Sequence, residues 1–182
     1  MQVPSVKYLL ASILIGCFLC GFCQEKKFDP YNESNYKEIS RGKYKETGWY
    51  AIIFQNEIDS QYSFVKIFDD SSYNSKSYIQ QFEYKGQLDG PLEGFLFGKQ
   101  TGKWLYKNGK RHGECIMFQS DGTISTKEFY NMGKKVGVWE FYDSHGRVFK
   151  KKYYKDDKFI KQEIYNRNGK LARTEFEEST LY

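Results

Sequence analysis

The sequence predicts an all-β protein, an elongated antiparallel meander of stacked hairpin repeats, led by an export signal and a short N-terminal β segment. The main observation is internal repetition. The stretches FQSDGTISTKEF from Phe118, YDSHGRVFKKKY from Tyr142 and YNRNGKLARTEF from Tyr165 share one pattern, spaced by 24 and 23 residues. In each, an aromatic is followed after three polar residues by Gly (Gly122, Gly146, Gly169), then an aliphatic (Ile124, Val148, Leu171), with an aromatic seven residues past the Gly. Composition agrees: aromatics make up 19% of the chain, about half of its 40% hydrophobic residues, and flat rings suit a pleated, half-buried surface. Three prolines and 16 glycines exclude a collagen-like or disordered chain, and 182 residues suffice for one domain with a core.

Residues 1–23 read as an export signal, because Lys7 precedes the apolar run YLLASILIGCFLCGFC, which stops at QEKK. Three processing outcomes stay open. Gly21 and Cys23 suit cleavage before Gln24; Leu14-Ile15-Gly16-Cys17 resembles a bacterial lipobox that would place lipid on Cys17; and an uncleaved anchor would be short for a bilayer. The chain is therefore expected to be secreted, periplasmic or attached to the outer membrane or cell surface. Only Cys115 lies outside this segment, so no disulfide within the mature chain is expected, and burial as a small apolar residue is the favoured role.

Residues 24–47 are polar and without a period, which predicts a linker. The segment 48–83 carries two strands, WYAIIF from Trp49 and QYSFVKIF from Gln61, apolar on both faces, which predicts a layered core around them. Between 69 and 77, DDSSYNSKS predicts a solvated loop without calcium-ligand spacing.

From residue 84 to 176 the repeats take over, followed by a tail at 177–182. Gly-Lys, two residues, Gly and a strand recur as GKQTGKWLY from Gly98, GKRHGECIMF from Gly109 and GKKVGVWEFY from Gly133, with DKFIKQEIY from Asp157 as an altered copy. Superposed, Trp104, Cys115, Trp139 and Gln162 share one position, and Tyr106, Met117, Phe141 and Ile164 share the position two residues on, hence one face. Between them Leu105, Ile116, Glu140 and Glu163 become polar toward the C-terminus. The pairs Asn108-Gly109, Asp121-Gly122, His145-Gly146 and Asn168-Gly169 read as hairpin turns that use positive φ. The odd five-residue step from Ile124 to Phe129, and from Val148 to Tyr153, puts these side chains on opposite faces unless a bulge intervenes.

The pattern Gly-Lys-x-x-Gly-x-Trp-x-x-Tyr, followed by an Asn-Gly-like turn and a Lys-rich strand, resembles the MORN-repeat proteins, most of all the bacterial variant whose members are often labelled antitoxins. The resemblance covers about residues 84–176 and is carried by Gly102, Trp104, Tyr106, Gly109, Gly113, Gly122, Gly133, Gly137, Trp139, Phe141, Gly146 and Gly169. It implies a β-meander that binds proteins or lipids, with a terminal capping repeat where Asp157 and Lys161 replace the glycines.

Catalytic chemistry finds little support. His112 and His145 each fall in a turn slot held by other residue types elsewhere in the repeat, no zinc-like spacing can be written, and no phosphate loop or nucleophile elbow is present. No cofactor or metal is expected. Residues 24–98 carry 9 Lys+Arg against 12 Asp+Glu, whereas residues 99–182 carry 18 against 11. The sharpest basic feature, RVFKKKYYKDDK, brings Arg147, Lys150, Lys151, Lys152, Lys155 and Lys158 together with aromatics, as a contact for anionic lipid or a cell-surface polymer would. The alternative role for these lysines is protection of a sheet edge. The expected function is a non-enzymatic, exported module that binds or scaffolds a protein partner. The alternative is a peripheral or lipid-anchored membrane protein using the basic strand, and no nucleic acid is expected.

Overall fold

A computed structural model describes residues 29–44 and 47–177, so the segment read as an export signal, with Cys17, lies outside the described residues. Each polar turn reverses a short, alternating, aromatic-rich segment, and the outcome is one open antiparallel sheet. Its strands are β1 (Tyr36–Lys43), β2 (Tyr50–Asn56), β3 (Tyr62–Phe68), β4 (Tyr78–Tyr84), β5 (Gln87–Leu96), β6 (Lys99–Lys107), β7 (Lys110–Arg111), β8 (Gly113–Phe118), β9 (Ile124–Asn131), β10 (Lys134–Lys135), β11 (Gly137–Tyr142), β12 (Val148–Lys155), β13 (Lys158–Tyr165) and β14 (Leu171–Phe176). Consecutive strands pair throughout; β7 pairs with β6 and β10 with β9 as short leads into β8 and β11. Strand spacing of about 4.8 Å makes the sheet on the order of 50 Å across. Among the described residues the helical content is a single 3-10 turn, Glu33–Asn35.

The sheet's two faces follow from the register. One face, here the aromatic face, carries Ala51, Val65, Ile67, Ile79, Leu92, Trp104, Cys115, Tyr130, Trp139 and Tyr154. The other, the ladder face, carries Phe64, Phe82, Lys103, Ile116, Lys127, Glu140, Lys151 and Glu163.

The N-terminal strands β2–β4 extend the same sheet as the repeats, so the cover expected on both faces of β2 and β3 comes not from the repeats but from elsewhere in the chain. Their ladder face is covered instead by chain predicted as linker and loop. Residues 36–43 form edge strand β1, with Tyr36 packed edge-on against Phe64 and Phe82. Tyr31 meets Phe82 edge-on, and its hydroxyl donates to Asp89 at 3.1 Å. From the 69–77 loop, Tyr73 covers Phe68 and Tyr50. The linker reading missed these contacts because they rest on two tyrosines thirty to fifty residues from their partners, not on a local period. On the opposite face Ala51, Val65 and Ile67 form a small core with Tyr44, Ile53 and Ile79.

In the repeats, Cys115, Tyr130 and Trp139 form a second core flanked by Trp104, Phe141 and Tyr154. Cys115 is 1% exposed and free, as the sequence suggested, and burial pushes its thiol pKa up. The shared face inferred from superposing the repeats is present.

A bulge does intervene at the odd step. The register slips between Met117 and Phe118, between Phe141 and Tyr142, and between Ile164 and Tyr165, leaving Ser125, Phe149 and Ala172 as the extra residues. Each lies three residues past a turn glycine, and the slip returns Ile124 and Phe129 to one side of the sheet.

From β6 onward two turn types alternate between the sheet's ends, whereas before β6 the two-residue turn Phe97-Gly98 (φ 50°, 78°) stands at the end that later carries the side-chain-closed turns. At one end, two-residue turns hold both residues left-handed: Asn108-Gly109 (φ 49°, 73°), Met132-Gly133 (49°, 92°) and Asp156-Asp157 (48°, 71°). At the other end Gly122, Gly146 and Gly169 are left-handed but Asp121, His145 and Asn168 are not, which corrects their grouping with Asn108-Gly109. There a side chain closes the turn: Asp143 Oδ1 accepts from the His145 and Arg147 amides, and Asn166 Oδ1 from those of Asn168 and Lys170. The two-residue ends also bond to their neighbours, Gly133 N to Arg111 O at 2.7 Å and Asp157 N to Lys135 O at 3.0 Å.

Candidate functional site

Pleating divides the basic strand that the sequence singled out. Lys150 and Lys152 point to the aromatic face, where their ammonium groups lie 4.4 and 5.8 Å from the Phe141 ring centre. Burial, then the neighbouring Lys152, lowers the pKa of Lys150. Lys151 lies on the ladder face, paired with Glu140 at 2.9 Å. Arg147 sits at the far end of the sheet, bonded to Asp143, whose carboxyl pKa falls to about 2 chiefly because it accepts the Arg147 amide. Lys155 and Lys158 face each other across the Asp156-Asp157 turn. The six cations therefore do not form one surface.

Inward of its turn end, the ladder face of the repeats neutralises itself. Glu93, Lys103, Ile116, Lys127, Glu140, Lys151, Glu163 and Thr174 make one cross-strand row. Glu93 and Lys103 approach to 3.5 Å. Glu163 accepts from Lys161 Nζ at 2.6 Å and from the hydroxyls of Tyr153 and Tyr165, each at 2.7 Å. These donors, Lys161 first, hold its pKa down to about 2, and the hydroxyls of Tyr153 and Tyr165 are pushed up to about 12 by the same bonds. Glu140, lowered first by Tyr142 and then by Lys151, is tied in the same way. Acid-base chemistry needs a carboxylate with a free lone pair facing a cleft, and these two are committed to the sheet.

The aromatic face is different. Here the cations stand over rings: Arg111 over Tyr130 at 5.3 Å, and Lys135 over Trp139 and Tyr154 at 5.1 and 5.3 Å. Arg111 donates to the Tyr130 hydroxyl at 3.1 Å, and that hydroxyl donates to Glu128. The bonds to Tyr106 and Tyr130 raise the Arg111 pKa further. Burial, assisted by Glu128, pushes Tyr130 up to about 12.

Where the two cores meet, this face opens into a trough of about 480 Å³ lined by Trp49, Ile79, Leu92, Trp104, Tyr106 and Arg111, among others. Gly94, the cross-strand partner of Gly102, is part of its lining. The Trp104 ring folds back onto Gly102, where a Cβ would stand 2.3 Å from it, so the Gly-x-Trp spacing is a packing requirement at this copy, whereas at Gly137 the glycine serves a left-handed φ of 67°. Trp104 and Tyr106 thus line the trough, with Gly102 beneath the Trp104 ring, whereas Trp139 belongs to the closed core with Phe141 packed against it. Trp49 is 42% exposed. Sequence reading placed Trp104 on an apolar face but could not reveal the trough, which depends on β2–β4 joining the same sheet.

His112 occupies the bulge between β7 and β8, where its Nδ1 accepts the Met132 amide at 3.4 Å; it is not a turn residue, while His145 is. Among the described residues no group of three His, Cys, Asp or Glu could hold a metal, and no helix is long and apolar enough to cross a membrane.

No protein-family model matches the chain, and a search of the curated proteins finds no match. Among solved structures, it is similar to S. aureus TarM, determined with Fondaparinux, alpha-GlcNAc-glycerol and UDP, at 15% identity and a TM-score of 0.26. That alignment covers 94% of this chain and 24% of TarM, and a superposition so loose carries no functional argument.

Proposed function

We propose that this chain is a non-enzymatic, exported binding module that holds a protein partner against its aromatic face. The observation that carries the proposal is the trough between the two cores. Trp49, Leu92 and Trp104 leave apolar surface at a concave site beside Tyr106 and Arg111, and Trp, Tyr and Arg are the residues that dominate binding energy at protein interfaces. The opposite face supports the reading by contrast, since inward of its turn end its charges are spent on neighbouring strands. The apolar N-terminal run supports export, and the MORN-like Gly-Lys-x-x-Gly-x-Trp pattern fits a repeat sheet that presents side chains rather than reacting groups.

Trp49→Glu tests the reading, because Trp49 is exposed enough for the change to leave the sheet intact. Proteins cross-linked to the wild-type chain in its native host should be lost with Trp49→Glu and retained with Phe129→Ala on the ladder face. Equal recovery with both variants overturns the assignment of the trough.

A further inference from the structure

Five lysines that neither the trough nor the ladder uses share one margin of the sheet. Lys107, Lys110, Lys134, Lys155 and Lys158 are all exposed, and all stand at the end of the sheet where the two-residue turns lie. Register places them on the ladder face, one pair inward from the turns. Lys107 is directly opposite Lys110, and Lys155 directly opposite Lys158. Like charges so paired destabilise a hairpin. Among the described residues a carboxylate lies within 4 Å of only Lys158, Glu177 at 3.8 Å, whereas the lysines further in meet Glu93, Glu140 and Glu163. Protection of a sheet edge does not account for Lys107, Lys155 and Lys158, because β6, β12 and β13 are interior strands and the long edges are β1 and β14; Lys110 and Lys134 sit on the short strands β7 and β10, each paired on one side. A local rule broken repeatedly, without a compensating contact, marks a functional surface.

The row has a period. Lys110, Lys134 and Lys158 occupy one repeat position, two strands apart, hence about 10 Å from one to the next. The stem of Lys110 already reaches the next turn, with its Cβ 3.8 Å from where a Cβ on Gly133 would stand. Beside this row on the same face run Leu105 and Phe129, 37% and 36% exposed, and Tyr153.

We infer that this margin binds a linear acidic polysaccharide lying across the strands. The lysines meet its carboxylates or sulfates, and Phe129 and Tyr153 take the apolar faces of its sugar rings. A spacing of about 10 Å is the length of an extended disaccharide, and acidic polysaccharides commonly carry charge at that interval. A flat anionic membrane fits less well, because it would meet the turn tips themselves, where Asp156 and Asp157 present carboxylates. This surface lies on the face opposite the trough, so the inference stands independently of the protein-binding reading.

The test is binding of the full chain to hyaluronate and chondroitin sulfate, whose charges recur once per disaccharide, with uncharged dextran, poly(dT) and anionic vesicles as comparisons. Wild type should bind both acidic polysaccharides and not dextran, with affinity falling steeply as salt rises. Lys110→Glu/Lys134→Glu/Lys155→Glu should weaken binding by about tenfold or more, as expected for losing three ion contacts. Lys99→Glu/Lys170→Glu at the other end should change it less than about twofold. Because the triple variant relieves both lysine pairs, it should unfold no earlier than wild type, which separates lost binding from lost folding. Equal binding by the triple variant, or no binding by wild type at low salt, overturns the inference. Rim-dependent binding that is tighter to poly(dT) or to vesicles overturns the choice of polysaccharide.

Discussion

Trp139 and Glu163 show how single side chains hold an open sheet. Trp139 is 6% exposed although no second layer covers it, because Tyr130, Tyr154 and the ammonium of Lys135 close around the indole and its Nε1 donates to Phe129 O at 3.1 Å. Trp139→Ala should cost about 3 to 5 kcal/mol, read from the urea midpoint. Glu163 should set part of the acid limit. Its pKa of about 2 lies below the ordinary unfolded value of about 4.3. A carboxyl depressed on folding stabilises above its unfolded pKa and loses that contribution as pH falls through the folded one. Wild type should therefore lose stability between about pH 4.3 and 2 more steeply than Glu163→Gln, and parallel losses in the two proteins would refute this role.

The hairpin is the element on which the architecture repeats, and its two turn types explain most of the glycine pattern. The exception is Asp156-Asp157, where the sequence suggested a degraded, capping copy. The turn keeps its left-handed geometry with no glycine, and Asp157 Oδ1 accepts the Lys135 amide at 2.8 Å. The aspartate trades backbone strain for a bond to the preceding hairpin. Asp157→Ala keeps the strain and loses the bond, so it should destabilise by about 1 to 3 kcal/mol. Asp157→Gly removes both and should stay within about 1 kcal/mol of wild type. Chemical denaturation of the two variants checks this, and equal losses would show that the bond contributes nothing.

At the scale of the whole molecule, each strand bonds only to its neighbours, so stability accumulates hairpin by hairpin as in other one-dimensional repeats. Two small cores interrupt that uniformity. Amide hydrogen exchange should be slowest in β3 and β4, held by Phe64, Val65 and Phe82, and in β8 and β9 under Cys115 and Tyr130. It should quicken toward β14, where Leu171 and Phe176 are 54% and 69% exposed. Uniform protection across all strands would contradict two separate cores. The same geometry separates the two proposed binding surfaces, with an aromatic trough on one face and a lysine margin on the other.

The sequence by itself determined the meander, the phase of its repeats and the side chains that share the aromatic face. These follow from local spacing, and a period of two leaves no freedom in which residues point together. Trp104 and Trp139 could thus be assigned to one face from superposed repeats alone. Only the tertiary structure decided that the N-terminal strands join the same sheet, that Tyr31, Tyr36 and Tyr73 return to cover Phe64, Phe68 and Phe82, and that a trough opens between the cores. It also decided that Lys150, Lys151 and Lys155, near neighbours in sequence, serve a ring, a carboxylate and an open margin. Pleat and register separate adjacent residues onto opposite faces and bring together residues 24 positions apart, so a basic run in sequence is not a basic patch in space.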